Sequence, residues 1–169
     1  MLHTRAQVAL RRGHDPAAEA LREVLQELLT DEQPLRRMGA MVAGTDLRLP
    51  MPGTGHHPLT GTFAPDLTLH TDQGVSSVAE LLHPARPVLL DLADRPDLRA
   101  AADGWGPRVD VRTAKTDGRP ADALLIRPDA HIAWAAPVDE PAATATPALR
   151  EALSHWFGPE RAGVSDRVR

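Results

Sequence analysis

The sequence predicts an α/β fold: an N-terminal helical hairpin followed by a βαβαββα region with a mixed sheet. Three observations predict it. Leu21, Val24, Leu25, Leu28 and Leu29 recur at three- and four-residue spacing, the pattern of a helix with one apolar face. The run "PVLLDL" ending at Leu92 is apolar throughout except for one acid, as in a central strand covered on both sides. The stretch "ADALLIRPDAHIAWAA" holds two apolar runs about Pro128-Asp129, which is a hairpin pattern.

The elements follow in order. His3 to about Arg12 is a short amphipathic stretch, too short for a stable helix alone, and resembles the end of a longer one. Asp15-Pro16 starts the first helix of the hairpin, with an acid at the cap and proline at the first helical position. Thr30 or Asp31 restarts the chain as a second helix with Pro34 in its first turn. Leu35, Met38, Met41 and Val42 form its stripe, and Gly44 ends it. Residues 45–63 are dense in glycine and proline and read as an ordered connector. Asp66–Thr71 alternates like a half-buried strand, and Ser76-Ser77 caps a short helix through Val78, Leu81 and Leu82. After "PVLLDL" come a helix from Asp97 to Ala102, a strand through Val109 and Val111, the hairpin, and a helix from Pro147 to Phe157. The expected division is therefore 1–44 helical segment, 45–63 connector, 64–158 α/β domain and 159–169 flexible tail. The strand and helix order of the third part is that of a thioredoxin-like fold, with right-handed crossovers.

Composition narrows the function classes. The 169 residues carry a formal charge of −4, so a general nucleic-acid binder, which needs a basic face, is not expected. There is no cysteine, which removes disulfides, thiolate catalysis and cysteine-ligated zinc. No apolar run approaches the roughly 18 residues of a membrane span, and the first residues are too polar for a signal peptide, so a cytoplasmic protein is expected.

The candidate sites are few. A thioredoxin-like layout puts its redox cysteines at the junction after "PVLLDL"; this chain has Ala93-Asp94-Arg95-Pro96 there. Asp94 reads as the cap of the helix that follows. Asp91 is either a general base with a raised pKa or a partly exposed strand-end residue paired with Arg86, Arg95 or Arg112. The second is expected, because no nucleophile or second acid lies nearby in sequence. His56-His57 are adjacent, but neighbouring side chains diverge and no HxxxH, HxH or HExxH spacing occurs; His70, His83, His131 and His155 stand alone and read as surface imidazoles. Gly53 and Gly55 suggest a phosphate loop, yet Pro58 occupies the third glycine position and no strand precedes them. Trp105, Trp134 and Trp156, with Leu149 and Leu153, read as core. The residues themselves thus assign no catalytic, cofactor-binding or metal site.

Several segments resemble successive parts of the C-terminal third of FAD-dependent aromatic-ring hydroxylases of the p-hydroxybenzoate hydroxylase type, which tailor aromatic polyketides. They are "HTRAQVALRR", the GTD-R-P spacing from Gly44 to Pro50, HPL-G--APDL from His57 to Leu67, and LL-RPD-HIAW from Leu124 to Trp134. The resemblance runs from about His3 to Phe157. It implies a cysteine-free thioredoxin-like domain preceded by helices that lead out of a flavin domain. It also implies FAD and NAD(P)H for the parental enzymes. The family's flavin motifs have no counterpart here, so the resemblance transfers no cofactor or catalytic residue and implies no cofactor for this chain alone. The family's hairpin turn carries glycine where this chain has Ala130.

What the resemblance implies is a structural, non-catalytic accessory domain, a detached piece of such a monooxygenase. Alternatively, the chain is a stand-alone module that docks onto a separate flavin subunit. Either way the N-terminal helices should expose an apolar strip, for a flavin-domain partner or for self-association; neither nucleic acid nor membrane is expected as a partner.

Overall fold

Short apolar runs next to prolines set the length of the three most buried strands of this molecule. Its structure, a computed structural model, describes residues 2–11, 15–52 and 57–160. The chain divides into two compact units, Met1–Asp46 and Leu47–Arg169.

The first unit is helical. α1 spans Leu2–Arg11, α2 Pro16–Leu28 and α3 Glu32–Ala43. Asp15 caps α2, its carboxylate accepting from the Ala17 N–H at 3.0 Å, with Pro16 at the first position. Asp31 precedes α3 without a side-chain cap bond, and Gly44 closes it in the left-handed conformation at φ 73°. Neither α2 nor α3 buries a residue. Leu21, Val24 and Leu28 of α2 and Leu35 and Val42 of α3 are about half exposed or more, so the apolar faces predicted from spacing exist and are open.

The second unit holds the sheets. β1 (Thr68–Thr71) and β2 (Gly74–Ser77) form an antiparallel hairpin, and α4 (Val78–Leu81) follows directly. A capping box starts α4: Ser77 Oγ accepts from the Glu80 N–H while Glu80 accepts from the Ser77 N–H. β3 (Val88–Asp91), β4 (Asp110–Thr113), β5 (Ala123–Ile126) and β6 (Ile132–Ala136) form a four-stranded sheet in the order β4-β3-β5-β6. β3 runs parallel to β4 and antiparallel to β5, and β6 returns antiparallel to β5. This is a mixed sheet, and its order is consistent with the thioredoxin-like expectation. α5 (Pro96–Ala102) and a 3-10 turn (Asp103–Trp105) link β3 to β4, and α6 (Ala142–Phe157) closes the fold.

Core side chains fall on the two faces of this sheet. On one, Leu89, Leu125 and Ala133 pack with Leu98, Trp105, Leu149 and Leu153 from α5, its 3-10 extension and α6. On the other, Val88, Leu90, Leu124, Ile126 and Ile132 pack with Leu69 and Val78. Among the described residues, no helix is long and apolar enough to cross a membrane.

Three expectations need correction. The strand predicted at Asp66–Thr71 begins at Thr68 and pairs with β2, a strand not predicted, instead of joining the main sheet; its link to that sheet is one bridge, His70 to Lys115. The reversal at Asp72-Gln73 leaves too little chain for a crossover. The last helix starts at Ala142 instead of Pro147, because Pro141 provides the extended residue before it. Pro147 sits inside the helix, where its ring removes one backbone donor. Trp105 is fully buried as expected, but Trp134 and Trp156 are only partly buried at the core margin.

Candidate functional site

The strand-to-helix junction after β3 is the position where this topology can present a reactive group. β3 is buried along its whole length, and Asp91, its last residue, has no solvent exposure. Asp94 then takes φ 54°, Arg95 takes the N-cap position, and Pro96 opens α5. This local geometry folds the chain around the Asp91 carboxylate. Its Oδ1 accepts from the Ala93 and Arg95 N–H groups at 3.2 and 3.0 Å, and its Oδ2 accepts from the Arg95 N–H at 2.9 Å and from Arg99 Nη1.

Arg99 Nη1 also reaches Asp94 Oδ1 at 2.8 Å. The bond to Asp91, then that to Asp94, raises the Arg99 guanidinium above its ordinary pKa. Arg95 works on the opposite side of the turn. Its Nε and Nη2 grip Asp97 in a bidentate pair at 2.9 and 2.7 Å, and Nη1 reaches Asp122 Oδ2 and the Glu140 carbonyl, both at 2.9 Å. The same hydrogen bonds raise the Arg95 pKa and hold Asp97 below the usual carboxylate range. Asp122, also buried, accepts the Asp139 N–H at 3.1 Å and pairs with Arg119 at 3.2 Å.

The arrangement locks three loops to the end of β3. A general base needs a free lone pair near a place where substrate can lie; both oxygens of Asp91 are already engaged, and none of its surface meets solvent. The expectation for Asp91 is therefore corrected. It is buried, not partly exposed, and its charge partner is Arg99 instead of Arg86, Arg95 or Arg112; Arg95 serves it through its backbone. Asp94 is not the cap. Pro96 fixes the helix start so that Arg95 holds the cap position, and the Asp94 carboxylate turns to Arg99.

The remaining sequence candidates disperse. His131 is buried, not a surface imidazole: its ring lies 4.1 Å from that of Phe63, and Nδ1 sits 3.2 Å from the Asp129 carbonyl. His57 Nδ1 accepts from the Leu59 N–H, and burial lowers its pKa. His155 meets Trp156 edge-on, and Arg127 lies 4.2 Å from the Trp156 ring centroid. Gly53, Gly55 and His56 lie outside the described residues, as does residue 161 onward of the expected tail. Among the described residues, no three His, Asp or Glu side chains converge on a common point that could hold a metal ion.

The spaced motifs of the sequence turn out to hold the connector to the sheet. Arg48 donates to the carbonyls of Thr60, Pro58 and His57 at 2.9, 2.9 and 3.2 Å. The Gly61 N–H donates to the Ile132 carbonyl on β6, and its own carbonyl accepts from Leu49. Gly61 has φ 84°, and a Cβ there would lie 2.3 Å from the Leu49 carbonyl oxygen. Arg127, Pro128, Asp129 and Ala130 make the β5–β6 turn, closed by the Ala130 N–H on the Arg127 carbonyl at 3.0 Å. Sequence reasoning missed Arg99 and Asp122 and gave Arg95 the wrong role; the only signal for the two arginines was the density of Asp and Arg around Pro96, and Asp122 had none.

The chain is similar to known proteins in both sequence and structure. The model of the family described as aromatic-ring hydroxylase, C-terminal, matches residues 57–160. The 12-dehydrotetracycline 5-monooxygenase/anhydrotetracycline 6-monooxygenase of Streptomyces rimosus is 39% identical over 163 residues, covering 93% of this chain and 31% of that protein. Dialkyldecalin synthase of Streptomyces rugosporus is 37% identical over 158 residues, covering 92% of this chain and 28% of that protein. The solved structure of the OxyS anhydrotetracycline hydroxylase from Streptomyces rimosus superposes with a TM-score of 0.73 at 38% identity, over 94% of this chain and 32% of that one. The chain thus spans about a third of the length of the proteins it resembles.

Proposed function

The chain belongs to the aromatic-ring hydroxylase C-terminal family, and from that premise we propose that it is the accessory, structural part of an FAD-dependent aromatic polyketide monooxygenase, without catalysis of its own. The observation that carries this reading is the closed ion network at the end of β3, where Asp91 has no exposed surface and no free oxygen. A second supports it. Relatives named for a monooxygenase and for a decalin synthase match this same region at 39% and 37% identity, so the region goes with different chemistries.

The junction between β3 and α5 does not fit the pyrophosphate of a flavin dinucleotide. A dinucleotide pyrophosphate needs backbone N–H groups and a positive helix end. Here the turn into α5 carries the carboxylates of Asp91, Asp94 and Asp97. In this reading FAD and its NAD(P)H reductant belong to a separate flavin-bearing portion, on the same polypeptide or another. The open apolar faces of α2 and α3, through Leu21, Leu28, Leu35 and Val42, are the surface that meets it.

Two measurements test the proposal. The purified chain is incubated with excess FAD, desalted and read for flavin absorbance; none is expected to remain, and stoichiometric bound flavin overturns the reading. The chain is also mixed with the flavin-bearing portion of a related monooxygenase that has been cut before its own C-terminal region. Co-elution is expected, and its loss on changing Leu21 and Leu28 together to Glu assigns the contact to α2. Failure of the unmodified pair to associate overturns the docking role.

A further inference from the structure

β4 is an edge strand with one side free. The Asp110 N–H donates to the Pro87 carbonyl and the Ala114 N–H to the Asp91 carbonyl, so even-numbered positions face β3. Val111 and Thr113 turn their backbone groups away from the sheet. Beyond them Lys115 turns the same way and is paired, exchanging hydrogen bonds with His70 at 2.8 and 2.9 Å. That pairing brings the β1–β2 hairpin alongside β4 without closing on it. A cleft of about 930 Å³ remains between them, walled by β4 on one side and by residues from His70 to Ser76 on the other.

We propose that this cleft is a strand-addition site for an extended, acidic segment of another polypeptide. The free backbone groups of Val111 and Thr113 supply the ladder. Volume is sufficient: a strand of four residues needs roughly 500 Å³ at ordinary packing density. Charge selects the occupant. Arg112 and Lys115 are exposed on the β4 wall, and among the described residues neither has an ion-pair partner. On the hairpin wall the acids are Asp72 at the tip and Glu80, whose carboxylate keeps its charge and is tied back to Ser76 and Ser77 by hydrogen bonds, so the selecting charges are those of the β4 wall, next to the added strand. Acidic side chains at alternate positions of an added strand would lie across from Arg112. A second copy of this chain fits less well, since it would bring its own Arg112 and Lys115 to the same place.

The test uses a blocked, fluorescently labelled hexapeptide alternating Val and Glu, with the same peptide carrying Lys for Glu as the control. Saturable binding of the Glu peptide is expected with a Kd below about 1 mM, and about tenfold weaker binding of the Lys peptide. Thr113→Pro removes an outward N–H that β3 does not use, so it should abolish binding while the thermal unfolding midpoint stays close to that of the parent. Arg112→Glu with Lys115→Glu should lose the preference for Glu over Lys. Slowed amide exchange at Val111 and Thr113 on binding places the peptide on the edge. The proposal is overturned by no saturable binding, by equal binding of the two peptides, or by full binding to Thr113→Pro. Concentration-dependent self-association that Thr113→Pro removes, in the absence of peptide binding, overturns it in favour of a second copy.

Discussion

Arg99, in the first turn and a half of α5, neutralises Asp91, the fully buried last residue of β3. The strand and the helix are thereby joined by a charge pair whose acid has no access to water. Removing the base leaves that acid uncompensated. Breaking a buried pair costs about 3–5 kcal/mol, and the guanidinium is about a third exposed, so Arg99→Met is expected to destabilise by about 2–3 kcal/mol. Urea unfolding at neutral pH checks it. Adding Asp91→Asn to Arg99→Met should recover part of the loss, because the second change removes the stranded charge.

Ala130 sits at φ 64° in the β5–β6 turn. A Cβ in the left-handed region is strained, and glycine relieves the strain while loosening the unfolded chain. Ala130→Gly is expected to stabilise by about 0.5–1 kcal/mol, read as a rise in thermal midpoint. A fall in that midpoint would refute the strain argument.

Gly61 gives the opposite sign. It also has positive φ, and a Cβ there collides with backbone, the Leu49 carbonyl, not with a side chain that could move aside. Gly61→Ala is expected to cost about 2 kcal/mol or more and to loosen the connector from β6. Faster amide exchange at Gly61 and Ile132, whose N–H groups bond between connector and strand, is the specific signature.

These sites show what the sequence could reveal. β3, β5 and β6 are continuous apolar runs bounded by proline, and such runs specify a buried strand almost unaided. β2 was invisible because Gly74-Val75-Ser76-Ser77 has no alternating burial, and its one apolar side chain, Val75, faces solvent at 69% exposure. Asp94 looked like a cap because aspartate favours that position, but Pro96 moved the helix start one residue further on. The Asp91–Arg99 pair spans eight positions across a strand, a turn and a helix. No spacing rule covers such a path, whereas the i,i+4 Glu32–Arg36 pair on α3 follows one. The strain at Ala130 was readable only through the resemblance, which marks glycine at that turn.

Titration of Asp97 and Glu140 should move stability in opposite directions with pH. Arg95 holds the Asp97 pKa below its unfolded value by a bidentate hydrogen bond, so the folded protein gains from the ionised form. That gain is fully present above the ordinary aspartate pKa of about 3.9 and is lost as pH falls through the lower folded value. Asp97→Asn should therefore be less stable than the parent at neutral pH, by an amount that is steady down to about pH 5 and closes below about pH 4. Glu140 has the reverse sign. Burial raises its folded pKa against the opposing attraction of Arg95, with a smaller push from Asp122, so its ionised form is a penalty at neutral pH that disappears as the group protonates on acidification. Glu140→Gln is expected to be slightly more stable than the parent at pH 7 and to converge with it as pH falls through the carboxylate range. Unfolding free energies of the two variants and the parent across this range provide the check. A parent–Asp97→Asn gap that widened on acidification would contradict the role given to Arg95, because that arginine remains charged throughout.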